Sequence, residues 1–326
     1  MDNYSEENFQ SFNAKKPGEP EAFLANSGNS PDLKAVMKLY LVVFLLLLVF
    51  GSLAQIWQFE TGMIITQWVL ILLPSLWFLR RYRVNWFDYG RFKALEWHYI
   101  PVIILLSASF WLLNMAIAAG MVTGLMELGY EPVVVLEPPG TVQHYLVYIF
   151  VLSISAGICE EVMFRGTIMP ALEERGLVPA VVFSSLLFAL FHISFLNLFS
   201  TFVLGAVMAV VVIKTGSLWG GILYHMLNNF YAATYLYLAG QQETAAEIDP
   251  QSLWGLLPLV ILTGAGAYAG LRLLANRSKV KPLLENHAGG WLPQGWFNWM
   301  LIISIILFLL MAMLEMAVGF GWFDAL

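Results

Sequence analysis

Apolar residues in this chain come in long unbroken runs, without the alternation of strands or the stripes of amphipathic helices. Runs of spanning length lie at about 37–57, 61–79, 99–122, 143–171, 178–194, 196–213, 217–239, 252–275 and 297–321. About 20 consecutive apolar residues make a helix long enough for some 30 Å of hydrocarbon. The pattern therefore predicts about nine transmembrane helices and an all-α, polytopic membrane fold. The link between 178–194 and 196–213, Ser194-Phe195-Leu196-Asn197, is very short for two full spans. Pro179, Gly216, Gly240, Pro250 and Pro293 mark the ends of runs. The expected organisation is a disordered cytoplasmic tail over 1–36, helices one to three over 37–125, a core of helices four to seven over 143–239, and helices eight and nine over 252–322. The first 33 residues are polar, rich in Asn, Ser, Pro and Glu, and lack the pattern of a cleavable signal.

Composition supports this reading. Of 326 residues, 59% are hydrophobic and 12% charged, whereas a soluble domain is nearer 25% charged. The single cysteine, Cys159, excludes an intrachain disulfide. Charge placement says more than the net value of −6. Of 16 Lys and Arg, 15 fall on one side if the helices alternate from an N-terminus inside, from Lys15 and Lys16 to Lys279 and Lys281. The segments on the other side carry acids such as Glu127, Glu131, Glu137, Glu243, Glu247 and Asp249. By the positive-inside rule the N-terminus is cytoplasmic and the C-terminus outside, in an integral multi-pass protein of the cell or plasma membrane if the source is prokaryotic. The expected partners are membrane lipid and a membrane-anchored protein or peptide, with no nucleic acid.

The sixteenth cation, Arg165, lies within the fourth run, in Cys159-Glu160-Glu161-Val162-Met163-Phe164-Arg165. Charged groups in hydrocarbon are costly and normally mark function. Glu161 and Arg165 are four apart, share a helix face and are expected to pair. Glu160 is rotated by roughly 100° and has no partner in its own segment. Two of the five histidines also lie inside runs. His192 shares a face with Phe188 at i−4, and His225 has Asn229 one turn above and Asn228 slightly off that line. A lone buried histidine is more often a satisfied core residue. Here, helix rise puts Glu160 roughly 15 Å, His192 about 20 Å and His225 about 12 Å from the cytoplasmic ends, so the groups are expected to converge in one cavity. A carboxylate in a low-dielectric setting suits general-base work on water. Imidazole and carboxamide N–H groups stabilise an oxyanion on an attacked carbonyl. The set spells hydrolysis of an amide by activated water.

Glu-Glu-x-x-x-Arg at Glu160–Arg165, Phe-x-x-x-His at Phe188–His192 and His-x-x-x-Asn at His225–Asn229, in that order on successive hydrophobic helices, resemble the CPBP family. Its members are CAAX-protease-like and bacteriocin-processing (Abi) intramembrane proteases, including the type II CAAX prenyl proteases, or Rce1-like endopeptidases. The resemblance covers about 143–239. It implies that Glu160 activates water with help from His192, that His225 and Asn229 stabilise the oxyanion, and that Glu161, Arg165, Phe188 and Asn228 support them. Many family descriptions carry a metalloprotease label, and Glu160, His192 and His225 would make a His₂Glu zinc set. Pairing of Glu161 with Arg165 would leave such a zinc site no second base, so a metal-free reaction without cofactors is favoured over zinc.

The rivals are a proton- or ion-coupled transporter, against which no inverted repeat of spans is visible, and an inactive scaffold or immunity protein. His98, His144 and His287 are read as interfacial, Cys159 as a small packing residue, and Glu315 as reaching the outer interface. Trp57, Trp77, Trp97 and Trp219 read as interfacial anchors. Gly205 and Gly216–Gly221 are expected to let helices approach closely.

Overall fold

A computed structural model of the chain describes residues 31–132, 136–173, 176–241, 257–278, 280 and 295–323. Of the expected disordered tail over 1–36, residues 1–30 lie outside these residues, as do Arg175, Glu243, Glu247, Asp249, Lys279, Lys281 and His287. The last four residues of that tail already form the first turn of a helix that Asp32 caps. Among the described residues there is no strand. Nine helices follow the nine apolar runs: α1 Leu33–Trp57, α2 Phe59–Arg81, α3 Trp97–Met126, α4 Val142–Leu172, α5 Leu177–Phe191, α6 Leu198–Thr215, α7 Leu218–Gly240, α8 Leu257–Arg277 and α9 Trp299–Gly319.

Seven of the nine are long and apolar enough to cross a membrane. The two others differ for identifiable reasons. α5 has only 15 residues, about 22 Å of helix, because the chain already turns at Ser194–Asn197. α7 has 23 residues, but His225, Asn228, Asn229 and four tyrosines dilute its apolar character. The protein is an integral, multi-pass membrane protein with exposed apolar side chains such as Ile56, Leu262, Ile306 and Met313 along its outward faces. Trp57, Trp77, Trp97 and Trp219 are all exposed.

The described ends of the bundle differ in charge. At one end the connections are stitched together by polar contacts. Arg91 forms a two-pronged ion pair with Glu173 at 2.6 and 2.8 Å, its carbonyl accepts the Leu218 N–H that opens α7, and Ser217 donates to the carbonyl of Lys93. Tyr99 donates to the carbonyl of Arg277, and Lys214 to that of Val280. The opposite end holds Glu60 against His144 at 2.7 Å, Glu131 bonded through its N–H to the Gly319 carbonyl, and Glu137, whose carbonyl accepts from Tyr148.

One hydrophobic core runs through the bundle, taking Tyr40 and Phe44 from α1, Ile103 from α3, Met163 and Phe164 from α4, Phe188 from α5, Val212 from α6, Tyr224 from α7, Leu274 from α8 and Leu301 from α9. Glycines set some of its spacings. A Cβ on Gly62 would lie 2.4–2.5 Å from backbone atoms of Ala54 and Gln55, which a helix cannot yield without moving. We expect Gly62→Ala to spread the α1–α2 hairpin and lower stability by about 1–3 kcal/mol, read as a fall in the thermal midpoint in detergent.

Gly221 sits in a similarly close approach, where a Cβ would lie 2.5 Å from Val212, and Gly205 in a looser one, 3.2 Å from Arg165, Phe188 and Ser185. Gly216 sits in neither. It has open space around its Cα and a φ of +66°, so it ends α6 in the left-handed conformation that glycine tolerates and contributes no packing.

Candidate functional site

α4 carries both glutamates on the regular stretch Ala156–Met163, between two more widely wound stretches, Ile149–Ser155 and Phe164–Ile168. Pro170 accounts for the second, since it has no N–H for the carbonyl four residues back. Within that stretch Thr167 donates its hydroxyl to the Val162 carbonyl at 2.8 Å. Wide turns of this kind are frequent at functional sites.

Glu161 and Arg165 are both fully buried and paired at 2.6 Å. The guanidinium also donates to the Gly205 carbonyl at 2.9 Å and lies 4.4 Å from the Phe188 ring centroid. The same Glu161 oxygen faces His225 Nδ1 at 3.3 Å. Glu161 therefore joins the cation to the imidazole and sets how His225 points. Gly221 makes room for it, because a Cβ there would lie 2.8 Å from the other Glu161 oxygen.

Glu160 points elsewhere. Its Oε1 accepts a hydrogen bond of 2.8 Å from Gln67 Nε2 on α2. Its Oε2 has no hydrogen-bond partner among the described residues and lies 3.9 Å from His192 Nε2 and 4.0 Å from His225 Nε2. Both separations are too long for direct hydrogen bonds and leave room for an atom between.

Hydrogen-bond inventory assigns the rings. His192 Nδ1 faces the Phe188 carbonyl at 2.8 Å, which accepts only, so Nδ1 carries the hydrogen. His225 Nδ1 faces the Glu161 carboxylate, paired with Arg165, and is the donor by the same logic. Both Nε2 atoms are thus the ends turned toward Glu160. Phe188 packs edge-on against His192 and His225 with centroids 4.7 and 5.8 Å apart.

The carboxamides form a chain. Asn228 Nδ2 donates to Asn229 Oδ1 at 3.1 Å, and Asn229 Nδ2 donates to the Leu152 carbonyl of α4 at 2.8 Å. One hydrogen of the Asn229 amide is therefore spent on α4, and Asn228, 9% exposed, stands beside it.

These groups line one cavity of about 280 Å³. Glu160, His192, His225, Asn228 and Asn229 line it together with Trp111, Asn114, Met115 and Ala118 of α3 and Ser200, Thr201 and Leu204 of α6. Glu160 is 6% exposed and His225 2%, whereas the His192 side chain is 35% exposed and forms the open edge.

His192 ends α5, and the next residue, Ile193, has a φ of +54°, a strained value for a β-branched residue. Glu315 of α9 steadies this turn, accepting from Ser194 Oγ at 2.7 Å and Phe195 N at 2.6 Å. It thus has a structural task inside the protein. His144 pairs with Glu60, and Cys159 is wholly buried in the core. Gln67 and Asn114, polar residues within apolar runs, are what motif reasoning passes over. Their signal was their depth in a span.

A tetrahedral zinc bound through nitrogen and oxygen at about 2.0–2.2 Å holds its ligand atoms some 3.3 Å apart. The separations of 3.9 and 4.0 Å are wider. Among the described residues, no three His, Cys, Asp or Glu side chains are gathered as a metal set.

Residues 142–231 match the family model described as type II CAAX prenyl endopeptidase Rce1-like. Over this segment the chain is similar to that family. The match runs from the start of α4 into α7 and contains Glu160, Glu161, Arg165, Phe188, His192, His225, Asn228 and Asn229. No curated protein and no solved structure matches the chain. Gln67, the α3 wall and Glu315 all lie outside the Rce1-like segment.

Proposed function

We propose that this protein is an intramembrane endopeptidase of the CAAX-protease-like kind, hydrolysing a peptide bond of a membrane-associated protein or peptide with water activated by Glu160. The observation that carries the reading is the split role of the Glu160 carboxylate: one oxygen is tethered, and the other is directed between two imidazoles at a cavity wall. A substrate carbonyl beside Oε2 places its carbon within reach of a water held there.

Glu160 takes one proton of that water, and the new C–O bond turns the carbonyl oxygen into an oxyanion. For His225 Nε2 to donate to that oxyanion while Nδ1 donates to Glu161, the ring must hold both protons, with Glu161 as its counter-charge. The hydrogens of Asn228 and Asn229 not spent on each other and on Leu152 supply further donation. Collapse of the intermediate breaks the C–N bond, and the proton on Glu160 passes to the leaving amine. His192, on the open edge, orients the water through Nε2. Glu161, Arg165 and Phe188 hold His225 and His192 in place and touch no substrate.

The reaction is proposed to need no metal, and turnover by the purified protein is expected to persist in the presence of a chelator, checked by following cleavage with and without it. Incubating the protein in vesicles with membrane-anchored peptides, wild type beside Glu160→Ala, tests the proposal directly. Cleavage by the wild type alone is expected. Equal cleavage by both would sink it.

A further inference from the structure

We propose that Gln67 is a positioning residue that locks the Glu160 carboxylate for its work, an inference that rests on the hydrolytic reading above. Gln67 lies midway along α2, far outside the Rce1-like segment, and is 3% exposed. Its Nε2 reaches Glu160 Oε1 at 2.8 Å, while its own Oε1 is buried with no hydrogen-bond partner among the described residues.

Placing an amide where half of it goes unsatisfied is unfavourable. Docking of α2 on α4 does not require it, because the neighbouring Trp68 already donates its indole N–H to Ser155 Oγ at 3.0 Å. What the amide alone provides is a donor to Glu160. A carboxylate with two equivalent oxygens rotates freely between them. Fixing Oε1 leaves Oε2 as the oxygen facing His192 and His225.

The donor's neutrality matters equally. The charged or titratable groups packed around Glu160 are His192 from α5, His225 from α7, and Glu161 with Arg165 on its own helix. Arg165 is turned away onto Glu161 and Gly205. A lysine or arginine at position 67 would neutralise the base directly, whereas glutamine orients the carboxylate and leaves its charge for the water.

The test uses Gln67→Met, which keeps length and removes the donor, and Gln67→Glu, which keeps shape and makes Glu160 share one proton with a second buried carboxyl group. Each is compared with wild type and Glu160→Ala for cleavage of membrane-anchored peptides. Gln67→Met is expected to lower kcat roughly 10- to 100-fold, the scale of a misplaced reacting group, with KM within about threefold and an unchanged thermal midpoint. Gln67→Glu should fall further. The carboxylate infrared band that Glu160→Gln removes should shift in Gln67→Met.

An unchanged kcat with an unmoved band overturns the inference. So does a loss that disappears when rates are referred to folded protein, which would make Gln67 only a helix contact. Full activity of Glu160→Ala would bring down the hydrolytic reading and this inference together. An inactive Glu160→Ala beside a fully active Gln67→Met would bring down the inference alone.

Discussion

Glu160→Gln is expected to lower peptide hydrolysis by about 10²- to 10⁴-fold, the usual contribution of a positioned general base, while leaving the protein as stable as the wild type. The two halves of this expectation come from the two oxygens. The carbonyl end of the new amide still accepts from Gln67 Nε2, so the contact at 2.8 Å survives. The NH₂ end replaces Oε2 and points a hydrogen toward Nε2 of His192, which offers a lone pair. The buried polar groups are satisfied at least as well as before, yet the side chain no longer takes a proton from water. A residue that merely glued α4 to α2 and α7 would lose stability and leave kcat per folded molecule unaltered. Cleavage rates and thermal midpoints measured on the same preparation separate the two.

Arg165→Met is expected to be the most destabilising substitution, by about 3–5 kcal/mol, the scale for orphaning one member of a buried ion pair. Glu161 is fully buried and its partner oxygen is 2.6 Å from the guanidinium. Without the cation, the carboxylate is stranded among Val212, Gly221 and His225. The Gly205 carbonyl also loses its donor. The double substitution Glu161→Gln with Arg165→Met removes the stranded charge and should recover part of the loss. Activity should not recover with it, because His225 Nδ1 then lacks its anionic partner. Denaturation in detergent, alongside peptide cleavage, reads both effects.

The membrane architecture was legible because span length is written directly in apolar runs, and among the described residues each run holds a helix, seven of them long and apolar enough to cross a membrane. What spacing could not convey is where a helix stops short. α5 ends at Phe191 because His192, Ser194 and Asn197 turn the chain onto Glu315, a residue 121 positions later in sequence. The pairing of Glu161 with Arg165 follows from i,i+4 geometry alone and is present. Asn229 also lies one turn from His225 as its spacing dictates, but its amide is drawn to the Leu152 carbonyl, a contact set by how α7 crosses α4. Gly216 sits in a glycine-rich stretch and resembles its neighbours in sequence, yet only its φ of +66° reveals a helix stop. Gln67 was visible as an amide in hydrocarbon. That it meets Glu160, 93 residues away, depends on packing that no local pattern encodes.

Glu160 and both imidazoles belong to the stretch that resembles other proteins, whereas the tether on Glu160 comes from α2 and part of the cavity wall from α3. Inheritance can therefore preserve the reagents while the mould around them drifts. Under the proposed chemistry, relatives sharing the motifs are free to diverge in what they cut through exchanges at Trp111, Asn114, Met115 and Ala118.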